Sequence, residues 1–472
     1  MIKPVILWTD ALIFLLTAVV VVFILYARSK PHIRAPWKRV FSGRIAAASV
    51  VVLLAFVLVG LLDSLHYRLP LEANGDNSDN SEVHYAGEVL SLLDALVGPL
   101  RTQIEKTYSA PFATHLFAME TIELADGSKV RDYPRLVYAA RSLGVTGEGR
   151  AGDILQRSLL AIAATLLAGS LLLFTVSAWL GRRHGQPARS MARGILQGTL
   201  QVPWRTILFT LSLLLLLLFL AINLAGAYHV LGTDKVGQDV LYLSLKSIRT
   251  GLVIGTLTTL IMLPFAIFTG ILAGYARGWI DDVVQYVYTT LNSIPGVLLI
   301  AAAILMLQVF IANHSDYFET TVERADIRLL FLCIILGITS WTGLCRLLRG
   351  ESLKIREAEY IQAAVCFGVA HGKIITRHIL PNVMHVVLIT VVLDFSGLVL
   401  AEAVLSYVGV GVDPTMNSWG NMINGARLEM AREPVVWWSL LAAFLFMFIL
   451  VLAANLFSDA VRDAFDPRTR AR

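Results

Sequence analysis

Two carboxylates stand where a carboxylate is costly: Asp394 near the middle of an apolar run at 383–407, and Glu402 nearer its end. Charge at that depth costs roughly several kcal/mol, so both should face a water-filled path or a partner helix. Asp394 is a candidate for lining such a path and solvating a cationic group. Its structural reading is a hydrogen bond to a neighbouring helix. A second chemically loaded stretch is the polar segment 352–382, SLKIREAEYIQAAVCFGVAHGKIITRHILPN, set between two apolar runs. Lys354, Arg356, Glu357, Glu359 and Gln362 are interleaved with Ile355, Tyr360, Ile361, Ala363 and Ala364, which predicts one short amphipathic helix. Gly368 is placed to end it. Beyond it Lys373, Arg377 and His378 alternate with Ile374, Ile375, Ile379 and Leu380, predicting a second short helix that Pro381 stops or kinks.

Other reactive residue types form no site. His84, His115 and Glu120 are too scattered for metal ligation. Cys333, Cys345 and Cys366 fall in or beside apolar segments without close metal spacing, so free thiols and no metal are expected. A phosphate-binding GxxxxGK[ST] loop is absent: His371-Gly372-Lys373 continues with Ile374, and Phe367 stands five residues before Gly372.

These residues must be positioned by helices in a membrane. The 472 residues are 56% hydrophobic and 15% charged, with mean hydropathy +0.69, which excludes an ordinary soluble protein. Apolar runs at 5–26, 45–62, 159–180, 207–227, 251–275, 297–311, 329–348, 383–407 and 435–456 predict about nine transmembrane helices. Open sheets cannot cross a bilayer, so the fold class is an all-α polytopic membrane protein. The net charge of +5 comes from basic residues gathered between spans, where it reports orientation and not nucleic-acid binding. Arg28, Lys30, Arg34, Lys38 and Arg39 follow the first run and Arg462, Arg468, Arg470 and Arg472 follow the last. The N-terminus is therefore expected outside, the C-terminus and segment 352–382 in the cytoplasm. Reversed charge flanks argue for an uncleaved anchor over a signal peptide.

The chain divides into residues 1–62 with two helices, an external insertion at 63–157, a third helix and basic loop at 158–206, and a bundle at 207–472. The insertion opens with LEANGDNSDNSE, a tether by composition. An apolar periodicity over 89–104 predicts one amphipathic helix, and 118–124 and 129–133 flank a turn at Asp126-Gly127, together a small α+β domain. In the basic loop, 191–204 suits an interfacial helix.

Four ordered stretches carry a resemblance. They are GTDKVGQDV at 232–240, GYARGWIDDVVQYVYTTLNSIP at 274–295, the segment 352–382, and SYVGVGVDPTMNSWGNMINGAR at 406–427. Together they resemble the dipeptide, oligopeptide and nickel branch of ABC importer permeases. Segment 352–382 resembles that family's cytoplasmic coupling loop, with Gln362 where Glu is usual, and 232–240 its GTDxxGRD signature, with Gln238 for Arg. The resemblance implies a type I permease core of six helices, to which this chain adds three N-terminal helices and the insertion. It implies that Glu357, Gln362, Ala363, Ala364, Gly368, Ile379, Leu380 and Pro381 form the ATPase-coupling loop. Gly232, Thr233, Asp234, Gly237 and Asp239 would form an outer-surface signature of structural character, the acids and Thr233 capping a short interfacial helix. Asp394, Glu402 and Trp419 are candidates for the translocation path, Trp419 alternatively an interfacial anchor. Glycines and Pro414 in 406–427 argue against a long helix there.

The function so implied is that of a permease subunit without catalysis of its own, in the bacterial inner membrane and in contact with membrane lipid. It would work beside a second homologous permease, two ABC ATPases holding ATP and Mg, and a periplasmic substrate-binding protein; no nucleic acid is expected. Two rivals are a proton-coupled secondary transporter using Asp394 and Glu402, and a membrane sensor with the insertion as receptor. The first would favour inverted repeats and the second a cytoplasmic output domain.

Overall fold

Nine helices among the described residues are long and apolar enough to cross a membrane. The computed structural model describes residues 3–70, 85–123, 129–139, 149–314 and 320–465. His84, the whole LEANGDNSDNSE tether, the Asp126-Gly127 turn and the basic residues after 465 lie outside the described residues. The helices are α1 (Trp8–Ser29), α3 (Arg44–Asp63), α6 (Arg150–His184), α8 (Trp204–Ala225), α9 (Val240–Ala276), α11 (Gly296–Asn313), α12 (Thr321–Arg356), the continuous stretch His371–Val408, and α17 (Trp438–Phe465). Several overrun the apolar segments that announce them. At 1.5 Å per residue, the 35 residues of α6 extend about 50 Å, beyond the roughly 30 Å hydrocarbon core. The excess is set by caps: Gly149 and Gly185, both at positive φ, bound α6.

The chain forms two compact units. The first comprises Met1–Val5, Lys38–Thr250 and Asn417–Ala453. Within it α3, α6 and α8 pack together, and α7 (Ala188–Gln197) lies across α6 and α8. Met191 and Ile195 of α7 bury against Leu180, with Leu173, Trp204 and Leu208 around them. The helix expected over 191–204 therefore runs earlier, because Gly198 in the left-handed region ends it, and its apolar face is covered by protein. Strand β1 (Lys3–Val5) pairs antiparallel with β2 (His66–Arg68), and β2 with β3 (Leu90–Ser91). The N-terminus thus shares a side of the protein with the start of the insertion.

In the insertion the single helix expected over 89–104 is two: α4 (Leu92–Leu96) and α5 (Gly98–Thr102), divided where Gly98-Pro99 interrupts the backbone ladder. Ser91 and Asp94 make a capping box at α4. β4 (Glu120–Glu123) and β5 (Lys129–Asp132) pair antiparallel.

The second unit comprises Ile6–Trp37, Gly251–Met416 and Ala454–Arg472. Here α12 is the central post. Leu329, Leu332, Cys333 and Leu336 pack with Val253, Ile254 and Leu257 of α9 and Ile304 of α11. One layer along, Trp341, Leu344, Cys345 and Leu348 pack with Met262, Ala266 and Ile271. Gly270 and Gly274 of α9 let α12 approach: a Cβ at Gly274 would stand 2.5 Å from the Arg349 carbonyl oxygen. The added helix α1 joins this unit through α12, where buried Asp326 accepts the Thr9 amide at 3.1 Å and also the Thr9 hydroxyl.

Candidate functional site

Segment 352–382 begins inside α12, which carries Lys354, Ile355 and Arg356 and ends at Glu357. The first short helix is accordingly α13 (Glu359–Cys366), shorter than the amphipathic pattern suggested. Its one fully buried residue, Ile361, inserts into the layer formed by Trp341, Leu344 and Leu348. Gln362, Ala363, Val365 and Cys366 face outward, and Phe367 is 86% exposed. Gln362 donates to the Glu357 carbonyl at 3.2 Å, and Glu357 pairs with Arg277 at the chain's surface. A helix with one buried foot and a bare outer face is held out from the bundle.

Gly368 makes that posture. Its φ of +73° is a left-handed conformation, and the Val369 amide reaches back to the Ala364 carbonyl at 3.1 Å. No atom lies within 4 Å of where its Cβ would be, so the requirement is conformational, not steric. From α14 (His371–Ile374) the chain does not form a second short helix ended by Pro381. It runs through a π-helical turn, Ile375–Ile379, into α15 (Leu380–Val408). The Leu380 amide donates to the Ile375 carbonyl, five residues back, which opens the ladder just before the residue that lacks an N–H. Pro381 then sits in the first turn of α15, directly after the widened turn that accommodates a residue without an N–H.

Ile374, Ile379 and Val383 bury in the same layer as Ile361, so both halves of the loop are rooted in one core. His371 Nδ1 lies 2.7 Å from the Tyr275 hydroxyl, and Asn382 donates to the Tyr360 hydroxyl at 3.2 Å. Beside α13 a cleft of about 680 Å³ is walled by Tyr275, Arg277, Arg356, Gln362, Cys366 and His371. Behind it α10 (Trp279–Ser293) is tied to α12 by a bidentate pair: Arg349 donates to Asp281 at 2.5 and 2.7 Å. The Arg349 hydrogen bonds hold the Asp281 carboxyl below its ordinary range.

The 232–240 signature is a buried joint in the first unit. Thr233 and Asp239 are buried, and residues of the insertion cover them. Thr233 accepts the Ser109 amide at 2.7 Å and donates to the Thr107 carbonyl at 2.8 Å. Asp234 closes the turn by accepting the Val236 and Gln238 amides. Asp239 accepts the Leu241 and Tyr242 amides, so the helix it caps is α9, a spanning helix, in place of the short interfacial one expected. Gly237 is required: at φ +81° its Cβ would fall 1.8 Å from the Glu105 carbonyl oxygen. Gly232, at φ +72°, leaves room for Ser109 and for buried Trp438, whose Nε1 donates to the Thr233 carbonyl at 2.9 Å.

Charged residues that sequence reasoning missed also gather in this unit. His229 Nδ1 is 2.7 Å from Asp239, and its Nε2 is 3.6 Å from Glu105, an ion-pair separation. Glu105 also accepts the Val137, Tyr138 and Ala139 amides. Burial alone would lower the His229 pKa, but the two carboxylates outweigh it and push it up to about 9. Lys246, on α9, reaches Asp63 at 2.6 Å and Asp94 at 3.0 Å. A lysine near an apolar run and an aspartate closing another were the available signals.

Of the path candidates, Asp394 is half-buried on α15, and no hydrogen bond or ion pair reaches its carboxylate among the described residues. Glu402 is 2% exposed and accepts the Ser406 hydroxyl at 2.7 Å, one turn along its own helix. Trp419 is 1% exposed and donates to the Ser244 carbonyl at 3.2 Å, so it is packed inside the first unit. It opens α16 (Trp419–Glu429), capped by Ser418, so the turned stretch in 406–427 ends in a helix of 11 residues.

Nine helices among the described residues are apolar and long enough to cross a bilayer, which defines an integral membrane protein, and in its second unit the short helix α13 is rooted by Ile361 with its other side exposed. The family model for binding-protein-dependent transport system inner membrane components matches residues 266–471. The oligopeptide transport system permease protein OppC of Haemophilus influenzae is 31% identical over 243 residues, 52% of this chain and 71% of the relative. OppC of Mycobacterium tuberculosis is 32% identical over 246 residues, 52% of this chain and 78% of the relative. The dipeptide transport system permease protein DppC of Bacillus subtilis is 28% identical over 245 residues, 52% and 70%. The chain belongs to this family of binding-protein-dependent inner membrane components.

Proposed function

We propose that the chain is the permease subunit of an ATP-driven importer for peptides or similar small solutes in the bacterial inner membrane. The observation that carries this reading is α13: Ile361 and Gly368 hold its outer face, Gln362, Ala363 and Phe367, away from the bundle. Such a face suits a groove on a separate ATPase subunit, and the names of the relatives support transport of peptides. Two ATPases, binding ATP and Mg, would act on Ala363, Ala364 and Gly368. A second homologous permease would complete the pathway, and a periplasmic binding protein would deliver solute from the side bearing the insertion and the N-terminus. The C-terminus and segment 352–382 would then lie in the cytoplasm.

Force entering at α13 reaches the core through Ile361 and through the continuous helix from His371 to Val408. That helix carries Asp394, which in this reading lines the path and solvates a peptide's cationic amino end. Catalysis of ATP hydrolysis resides in the partner subunits.

The test is a pull-down of the detergent-solubilised chain alongside Gly368→Asp, with every co-purifying protein identified. Recovery of two ATPases and a second permease, with the ATPases lost from the variant, is expected. A chain that purifies alone and still catalyses proton-linked uptake in liposomes would replace this reading with a secondary transporter.

A further inference from the structure

The first unit contains a cavity of about 800 Å³ between the start of α3, the middle of α6, the segment after α7 and the start of α8. Its mouth is cationic. Arg44 opens α3 and Arg205 is the second residue of α8, and both line the cavity. Neither is engaged by an ion pair or hydrogen bond among the described residues, and no acidic residue lines the space. Gln197 and Gln201 add neutral polar groups at the same level.

Inward, the character changes. From Arg205 to Ser212 on α8 is about 10 Å along the helix, and Ser212 and Gly169 mark the deep end. Leu173, Leu208 and Phe209 wall the stretch between. Both α3 and α8 are long and apolar enough to cross a membrane. The deep end therefore sits at hydrocarbon depth and the two arginines at its border.

We propose that this cavity binds one anionic phospholipid, its phosphate between Arg44 and Arg205 and an acyl chain against Leu173 and Phe209. Two exposed arginines at the mouth, unpaired among the described residues, favour an anion, and basic pockets between spanning helices are where anionic headgroups dock. Free phosphate would answer the arginines and leave the apolar half empty. A neutral lipid would answer the apolar half and leave the arginines unpaired. An amphipathic anion answers both. The site lies wholly in the N-terminal part of the chain and does not rest on the importer reading.

The test is native mass spectrometry of the full chain, purified with whatever subunits accompany it and titrated with phosphatidylglycerol or phosphatidylcholine of identical acyl chains. A discrete one-to-one phosphatidylglycerol adduct is expected, with preference over phosphatidylcholine of roughly tenfold. Arg44→Gln/Arg205→Gln should lose that adduct, and so should Ser212→Phe, which fills the deep end. Arg189→Gln/Arg193→Gln removes the same charge from the exposed face of α7 and should keep it. Equal losses in both double variants would assign the effect to diffuse surface charge and overturn the site. Equal retention of the two lipids would do the same. Displacement by millimolar glycerol phosphate, which lacks chains, would reassign the cavity to a soluble phosphate.

Discussion

His229 donates across 2.7 Å to Asp239, so the last acid of the 232–240 signature caps α9 and holds a buried imidazole at once. The imidazole in turn faces Glu105 of the insertion. This joint has a pH signature with a definite sign. A histidine raised from about 6.5 to about 9 contributes stability that is complete below pH 6.5 and is lost as pH rises through 9. The contribution is on the order of 3 kcal/mol. Thermal melts of the purified protein should fall between pH 6.5 and 9.5, and Asp239→Asn should flatten that slope while lowering the plateau. Parallel curves for the two proteins would rule out the His229 pair as its source.

Gly368 is expected to tolerate substitution in the order Asn, Asp, Ala. Its positive φ with no neighbour near the Cβ makes the penalty one of backbone conformation, about 1–2 kcal/mol for an ordinary residue and less for Asn. ATPase retention measured across the three variants checks this. A uniform loss would point to a contact made by the glycine face itself.

Asp281→Asn should loosen α10 from α12 by breaking two charge-assisted hydrogen bonds to Arg349, at roughly 1.5–3 kcal/mol. The effect should appear as a lower melting temperature and raised amide exchange in 279–293. Unchanged exchange there would mean that packing alone, through Tyr288 and its neighbours, fixes α10.

Asp394→Asn bears on the path. Uptake of peptides with a free amino end is expected to slow, while peptides with a blocked end are expected to be spared. Identical kinetics for both would place Asp394 in helix packing.

Removal of residues 71–149 with all spans retained should cost folding as well as any role in solute delivery. It deletes Asp94, one of two carboxylates on Lys246, and Glu105, which faces His229. Stripping one partner from buried pairs of this kind costs about 3–5 kcal/mol. Full yield and full uptake by the deletion would show the insertion to be dispensable for both.

Every span was legible as an apolar run because a bilayer demands about 20 such residues in sequence. Helix ends were less so. Hydropathy marks the hydrocarbon crossing, whereas α12 continues to Arg356 on polar residues that the bundle supports. The end of α13 was legible through Gly368, a local signal. What escaped was non-local. Nothing near Lys3–Val5 announces its pairing with His66–Arg68, and nothing near Glu105 announces His229. Trp419 read as a path residue or an interfacial anchor, since indoles favour membrane edges, and its burial at 1% exposure comes from tertiary packing that no local pattern announces. Pro381 read as a stop or a kink because its local rule is strong. One widened turn satisfied the rule without ending the helix.

That widened turn also keeps phase. Ile374 and Ile379 are five residues apart, whereas Ile379, Val383 and Val387 follow at intervals of four. On a regular α-helix five residues overshoot a full turn by about 140°, which would swing Ile374 away from the core. The extra residue in the turn takes up most of that overshoot and returns Ile374 to the buried stripe. The joint between α14 and α15 therefore behaves as a spline, keeping the two lengths of helix from rotating independently. A single-residue deletion inside Ile375–Ile379 would leave every side chain of α15 in place and turn α14, and α13 before it, to present a different face.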